Sequence, residues 1–146
     1  MDQTRRTLFS LLPALCAAAA VSGEAASAQP GTVIPSFAHR FEDLPVHGHG
    51  NLSRPIMNGV THRQYPVEVH ETTLQPGSMP HPAHHHLHEE MFLIREGTVE
   101  VTINGKSTRL DAGGAAYIAS NAVHGIKNVG HTPANYFVIA LGGDKA

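Results

Sequence analysis

Asn104-Gly105 follows a run in which Val99, Val101 and Ile103 alternate with Glu100 and Thr102, and Ser107 to Leu110 leads away from it. A type I′ turn needs positive φ at both central residues, and Asn-Gly meets that need at little cost. The pair is therefore the strongest short hairpin signal a sequence can carry. The same grammar recurs on either side. Val67, Val69, Glu71 and Thr73 alternate with Glu68, His70 and Thr72 until Gln75-Pro76-Gly77 ends the run. Met91 to Ile94 is a short apolar run closed by Glu96-Gly97, and Asp111-Ala112-Gly113-Gly114 marks a further turn. Ala115 to Ile118, His124 to Val129 and Tyr136 to Leu141 complete the strand candidates. No stretch after Gln29 carries a helical period or a good cap, and no internal repeat is evident. Short strands with Gly-rich turns predict an all-β barrel or sandwich.

The 146 residues suffice for one domain. The first 28 read as a cleavable signal peptide. Arg5 and Arg6 form a positive n-region, Leu8 to Val21 is apolar, and Ala26-Ser27-Ala28 is a small-x-small cleavage pattern. The apolar run is about 14 residues, short of the ~20 that span a bilayer as a helix, and Pro13 interrupts it. No stable membrane anchor is expected. Thr4-Arg5-Arg6-Thr7-Leu8-Phe9 resembles a twin-arginine signal, with Leu8 where that motif usually has Phe. Secretion to the periplasm is the expected localisation. The only cysteine, Cys16, lies inside this segment, so the product is expected to hold no disulfide.

Residues 29–64 are rich in Pro, Gly and His without a sustained period, which predicts an irregular N-terminal arm; residues 65–146 would form the barrel. Net charge is −2, and removing residues 1–28 leaves it unchanged because Arg5 and Arg6 offset Asp2 and Glu24. With no basic block and no basic–aromatic interleaving, nucleic acid is not an expected partner. The 12 histidines all follow residue 28, and five fall between His81 and His88.

That histidine cluster holds the chemistry. His84 and His86 are two apart, a spacing that puts side chains on one face of a strand. Glu90 can reach the same point if the chain turns between Leu87 and Glu89. Imidazoles with a carboxylate suit a divalent first-row metal. His81, His85 and His88 read as members of a solvated loop. His85 has the wrong parity for the site, while His88 could support a ligand from behind.

At these residues the chain resembles the cupin superfamily. The first cupin motif is matched by Gly77, His84-x-His86, Glu90 and Gly97, with Gly77 one residue early. The second is matched by Gly113, His124 and Asn128. Ala119 stands in place of its proline and Asn121 in place of its glycine. Asn tolerates the left-handed conformation that the glycine would supply. The resemblance runs from about Val67 to Leu141. It implies a single double-stranded β-helix, or jelly-roll, barrel. It also implies one divalent transition metal ion (Fe, Mn, Zn, Ni or Cu) held by His84, His86, Glu90 and His124. About two coordination positions would stay open, as in a reactive site rather than a closed structural one.

Strand parity groups Phe92 and Ile94 with Glu90, and Ile126 and Asn128 with His124, as candidates to line a substrate pocket. Tyr117, Tyr136 and Met79 are candidates for its rim, and Asn128 alternatively satisfies a turn. No nucleophile elbow or phosphate-cradling glycine loop competes. The function expected is a metal-dependent enzyme on a small organic substrate, of dioxygenase, isomerase, lyase or decarboxylase type. The alternatives are a non-catalytic metal- or ligand-binding module and a structural protein. A homodimer is expected, since an edge strand of a small barrel invites pairing.

Overall fold

The computed structural model describes residues 31–143. Residues 1–28, expected above to be a signal peptide, lie outside the described residues, and Cys16 with them. Eight strands follow one 3-10 turn at Phe41–Asp43: β1 (Leu52–Val60), β2 (Pro66–Leu74), β3 (Glu89–Glu96), β4 (Thr98–Ile103), β5 (Lys106–Asp111), β6 (Ala115–Ile118), β7 (His124–Asn128) and β8 (Ala134–Leu141). They form two antiparallel sheets, a five-stranded one in the order β1-β2-β8-β3-β6 and a three-stranded one in the order β5-β4-β7. The fold is all-β, as the alternating pattern predicts, in the jelly-roll arrangement that the cupin resemblance implies.

The turn chemistry holds in detail. Asn104 and Gly105 have φ of 48° and 80°, as the β4–β5 hairpin requires. Gly97, between β3 and β4, has φ 79°, and a Cβ there would lie 2.8 Å from Ala134 Cα. That close approach of two chain segments admits only glycine.

Alternation along the strands builds the core. In β8, Ala134, Tyr136, Val138 and Ala140 are buried while the residues between them are half-buried. They meet Leu74, Phe92, Ile94, Val99, Val101, Ile118 and Ile126 from the other strands. Burying each large apolar side chain contributes about 1.5–3 kcal/mol.

The arm is only partly irregular. Residues 52–60 form β1, which pairs along its length with β2, and Val33 bridges to Val60. Periodicity did not reveal β1 because Pro55, Asn58 and Gly59 interrupt it and the register slips between Pro55 and Met57. Proline and a bulge are what an edge strand accommodates.

A candidate metal centre at the barrel mouth

The chain between β2 and β3 runs back alongside β7. Gly77 donates its N–H to the Asn128 carbonyl, His84 and His124 exchange both backbone hydrogen bonds, and Asn121 donates to the His86 carbonyl. The two histidine-bearing segments, separated by almost 40 positions, thus lie side by side. Asn121, standing where the second motif would have glycine, adopts φ 62°.

His84, His86 and His124 bring ring nitrogens within 4.8 Å of one another, and in an overlapping group ring nitrogens of His86 and His88 and a carboxylate oxygen of Glu90 do the same. Glu90 projects from the start of β3 beneath them. Its Oε2 lies 3.2 Å from His124 Nε2, and its Oε1 lies 3.4 Å from His86 Nε2 and 3.2 Å from His88 Nε2. Glu90 faces His86 and His124 directly, whereas His84 shares a group only with the two other histidines.

The tautomers are set by the backbone. His86 Nδ1 donates to the His88 carbonyl at 2.9 Å, and His124 Nδ1 donates to the Ala122 carbonyl at 2.9 Å. Each Nε2 is left with its lone pair. A hydrogen bond to one ring nitrogen is how proteins aim the other at a metal. Both Nε2 atoms and His84 Nδ1 are buried without a hydrogen-bond partner. An unsatisfied buried polar atom costs about 1–3 kcal/mol, and three at one point are a cost that a bound cation removes. Burial, and then the neighbouring His81, His124 and His86, hold His84 below the ordinary imidazole value, against the pull of Glu90. The donor set fits a divalent first-row ion.

The remaining histidines divide as follows. His85 is exposed, as its parity requires. His81 is exposed but packs edge-on against His84, with ring centroids 4.2 Å apart. His88 differs from the solvated-loop expectation. It is half-buried, stacks on His86 at 3.5 Å and 8°, and contacts Glu90.

A cavity of about 460 Å³ opens beside the cluster, lined by Glu90 and His124 together with Phe92, Ile126, Tyr136 and Val138. Of the four residues grouped by parity, Phe92 and Ile126 line this cavity. Ile94 points inward but is sealed in the core and does not line the cavity. Asn128 does not line it either. Its amide donates to the Leu74 and Thr132 carbonyls, and its Oδ1 accepts the Gly130 N–H. It fixes the β7–β8 turn. Tyr136 lies deep in the wall rather than at the rim, and burial above all pushes its phenol pKa up, so the group stays protonated. Tyr117 and Met79 are exposed and line no part of the cavity.

Sequence reasoning missed His47 and Ser53 of the arm, and His70 and Thr72 of β2, all of which line the cavity. The arm residues carry no periodic signal. His70 and Thr72 share a face with buried Leu74, which was the available clue.

The Cupin domain family model matches residues 70–140. Solved structures with this fold include an RmlC-like cupin from Shewanella frigidimarina, with TM-score 0.63 and 17% identity over 76% of this chain and 95% of that one. A predicted oxalate decarboxylase from Thermotoga maritima superposes with TM-score 0.61 and 19% identity over 73% of this chain and 100% of that one. The polyketide cyclase RemF from Streptomyces resistomycificus gives 0.60 and 16% over 77% and 83%. No curated protein matches the sequence. At these identities the structural likeness speaks for the fold, which is the cupin barrel. The matched segment and the structural neighbours together support placement in the cupin superfamily.

Proposed function

We propose that this protein is an exported, metal-dependent cupin enzyme acting on a small organic substrate, with His84, His86, Glu90 and His124 as the ligands of one divalent transition metal ion. One observation carries the reading: three buried, unpartnered imidazole nitrogens converge at the mouth of an otherwise largely apolar cavity. Bound there, the ion would act as a Lewis acid, or with Fe or Mn as a redox centre. The side chains divide the remaining work. Phe92, Ile126 and Val138 exclude water from one wall, and protonated Tyr136 offers a hydrogen-bond donor. The arm residues His47 and Ser53 contribute polar groups to the cavity's lining.

The reaction type lies between dioxygenation and isomerase, lyase or decarboxylase chemistry. Neighbours described as a decarboxylase, a cyclase and a sugar phosphate isomerase illustrate that the fold serves such reactions in other proteins. Metal analysis of protein purified from its native compartment tests the first half of the proposal. Incubation of the loaded protein with enols, diketones, catechols and hydroxy acids, with and without oxygen, tests the second. Stoichiometric metal without turnover of any compound would favour a non-catalytic binding module.

Export rests on Arg5-Arg6, the apolar run and Ala26-Ser27-Ala28. N-terminal sequencing should find the mature protein beginning near Gln29. We further propose a homodimer, for which the edge strand β1 and the exposed Leu93 and Tyr117 on the outer face of the five-stranded sheet are the support. A monomer mass by light scattering at micromolar concentration would refute it.

A further inference from the structure

We propose that His70, held by Glu68, is the acid–base residue of this site, moving a proton on a small hydroxycarbonyl compound. The assignment rests on the reading of the neighbouring histidines and Glu90 as a metal centre. Glu68 and His70 are two apart on β2 and share its inner face. His70 Nδ1 lies 2.7 Å from Glu68 Oε1. A carboxylate only accepts, so Nδ1 carries the proton and Nε2 is left as the basic atom. The carboxylate fixes ring orientation and tautomer, as a base that must meet a substrate in one pose requires.

The register places this dyad two strands from Glu90 in the same sheet. Glu68 pairs with Ala140 of β8, and Ala140 pairs with Glu90 of β3. His70 pairs with Val138, and Val138 with Phe92. Two inter-strand steps separate the rows, about 10 Å between Cα atoms. The residue between Glu68 and Glu90 in this row is Ala140, the smallest side chain that could stand there. His70, Glu90 and His124 all line the one cavity. The space between suits a molecule of a few non-hydrogen atoms, with its oxygens toward Glu90 and His124 and a carbon toward His70. Among the described residues that line it there is no lysine or arginine, so a substrate's oxygens have the proposed metal centre and the histidines to meet.

The step is a proton transfer. His70 Nε2 takes a proton from the carbon next to a carbonyl. The C–H bond breaks, an N–H bond forms, and the released pair makes a C=C bond as the carbonyl π pair moves onto oxygen. Returned by the imidazolium to the same carbon, the proton regenerates the compound or its epimer. Returned to the former carbonyl carbon, while the hydroxyl proton passes to the enolate oxygen and the hydroxyl oxygen becomes the new carbonyl, it gives the isomer. No oxidant enters. The side chains of His70 and Glu68 are 25% and 38% exposed, so the proton exchanges with water between the two transfers.

The test follows solvent deuterium entering the hydroxymethyl carbon of hydroxyacetone by proton NMR, with zinc-loaded protein in D2O. The parent should exchange well above zinc in buffer. His70→Gln should lose about 100-fold or more of that rate, and Glu68→Gln a smaller part, while both bind zinc within threefold of the parent by calorimetry. A second readout needs no turnover: hydroxyacetone should shift the His70 Nε2 resonance of nitrogen-15-labelled, zinc-loaded protein. His70→Asn serves if His70→Gln does not fold. A parent that binds zinc without enhancing exchange, or a His70 variant that exchanges at the parent rate, overturns the assignment. A parent that fails to bind zinc overturns the metal reading itself, and the dyad assignment with it.

Discussion

His84 and His124 exchange both backbone hydrogen bonds, at 3.0 and 2.8 Å, so two histidines from distant parts of the chain are locked as direct neighbours. Their ring centroids stand 4.7 Å apart, and His86 stands 4.8 Å from His124. The ladder, not the side chains, sets the spacing of the site. The cluster is therefore expected to keep its shape whether or not an ion is bound.

His124 is 2% exposed and its Nε2 has no hydrogen-bond partner. His124→Ala should lower zinc affinity by more than about 100-fold, the upper end of what even supporting residues contribute to metal sites. His85→Ala, on an exposed side chain, should change it little. Competition titration with a chromophoric chelator measures both. Parent-like affinity in His124→Ala would show that the second motif supplies no ligand.

Acid should release the metal. Protons compete with the ion for each imidazole nitrogen, and a free imidazole titrates near pH 6.5, so loss should be marked below about pH 6. The His84 pKa is held below the ordinary value, chiefly by burial. A lowered pKa keeps its nitrogen available to more acid pH than a free imidazole, so it opposes release rather than starting it. Equilibrium dialysis between pH 7.5 and 4 checks this; equal retention at both ends would contradict a histidine site.

Much of this was legible in the sequence, for physical reasons that differ by element. The hairpin at Asn104-Gly105 is a local steric demand. The inward parity of Phe92, Ile94, Ile126 and Asn128 follows from period 2 alone. Parity decides only which face a residue takes, not how far along the barrel axis it lies. For that reason Ile94 and Asn128 point inward yet sit beyond the cavity. β2 was harder to read. Val67 and Val69 look like its core face, but Glu68, His70 and Thr72 share the face of Ala140 and Val138. The outer face of β2 is itself partly covered, since Val67 and Glu71 are both buried.

Asn121 at φ 62° replaces a motif glycine. Asn121→Gly should leave stability within a few tenths of a kcal/mol, whereas Asn121→Val should cost about 1–3 kcal/mol, since a β-branched residue is strained there. Urea unfolding of both variants decides it, and equal midpoints would contradict the strain argument.

Arg54 on β1 meets Glu71 on β2 at 3.1 Å, and the Glu71 side chain is fully buried. Arg54→Met should destabilise the fold by about 3 kcal/mol, because it strands a buried carboxylate. Adding Glu71→Gln should recover part of the loss. A single variant as stable as the parent would mean that β1 is not anchored through this pair.

The central claim is that one ion sits among His84, His86, Glu90 and His124. Anomalous diffraction from crystals of the zinc-loaded protein measures it most directly. The account predicts a single strong peak with donor atoms of all four residues about 2.0–2.3 Å away. A peak shared instead by His86, His88 and Glu90, with His84 and His124 unengaged, or no peak at the cluster at saturating zinc, would contradict it.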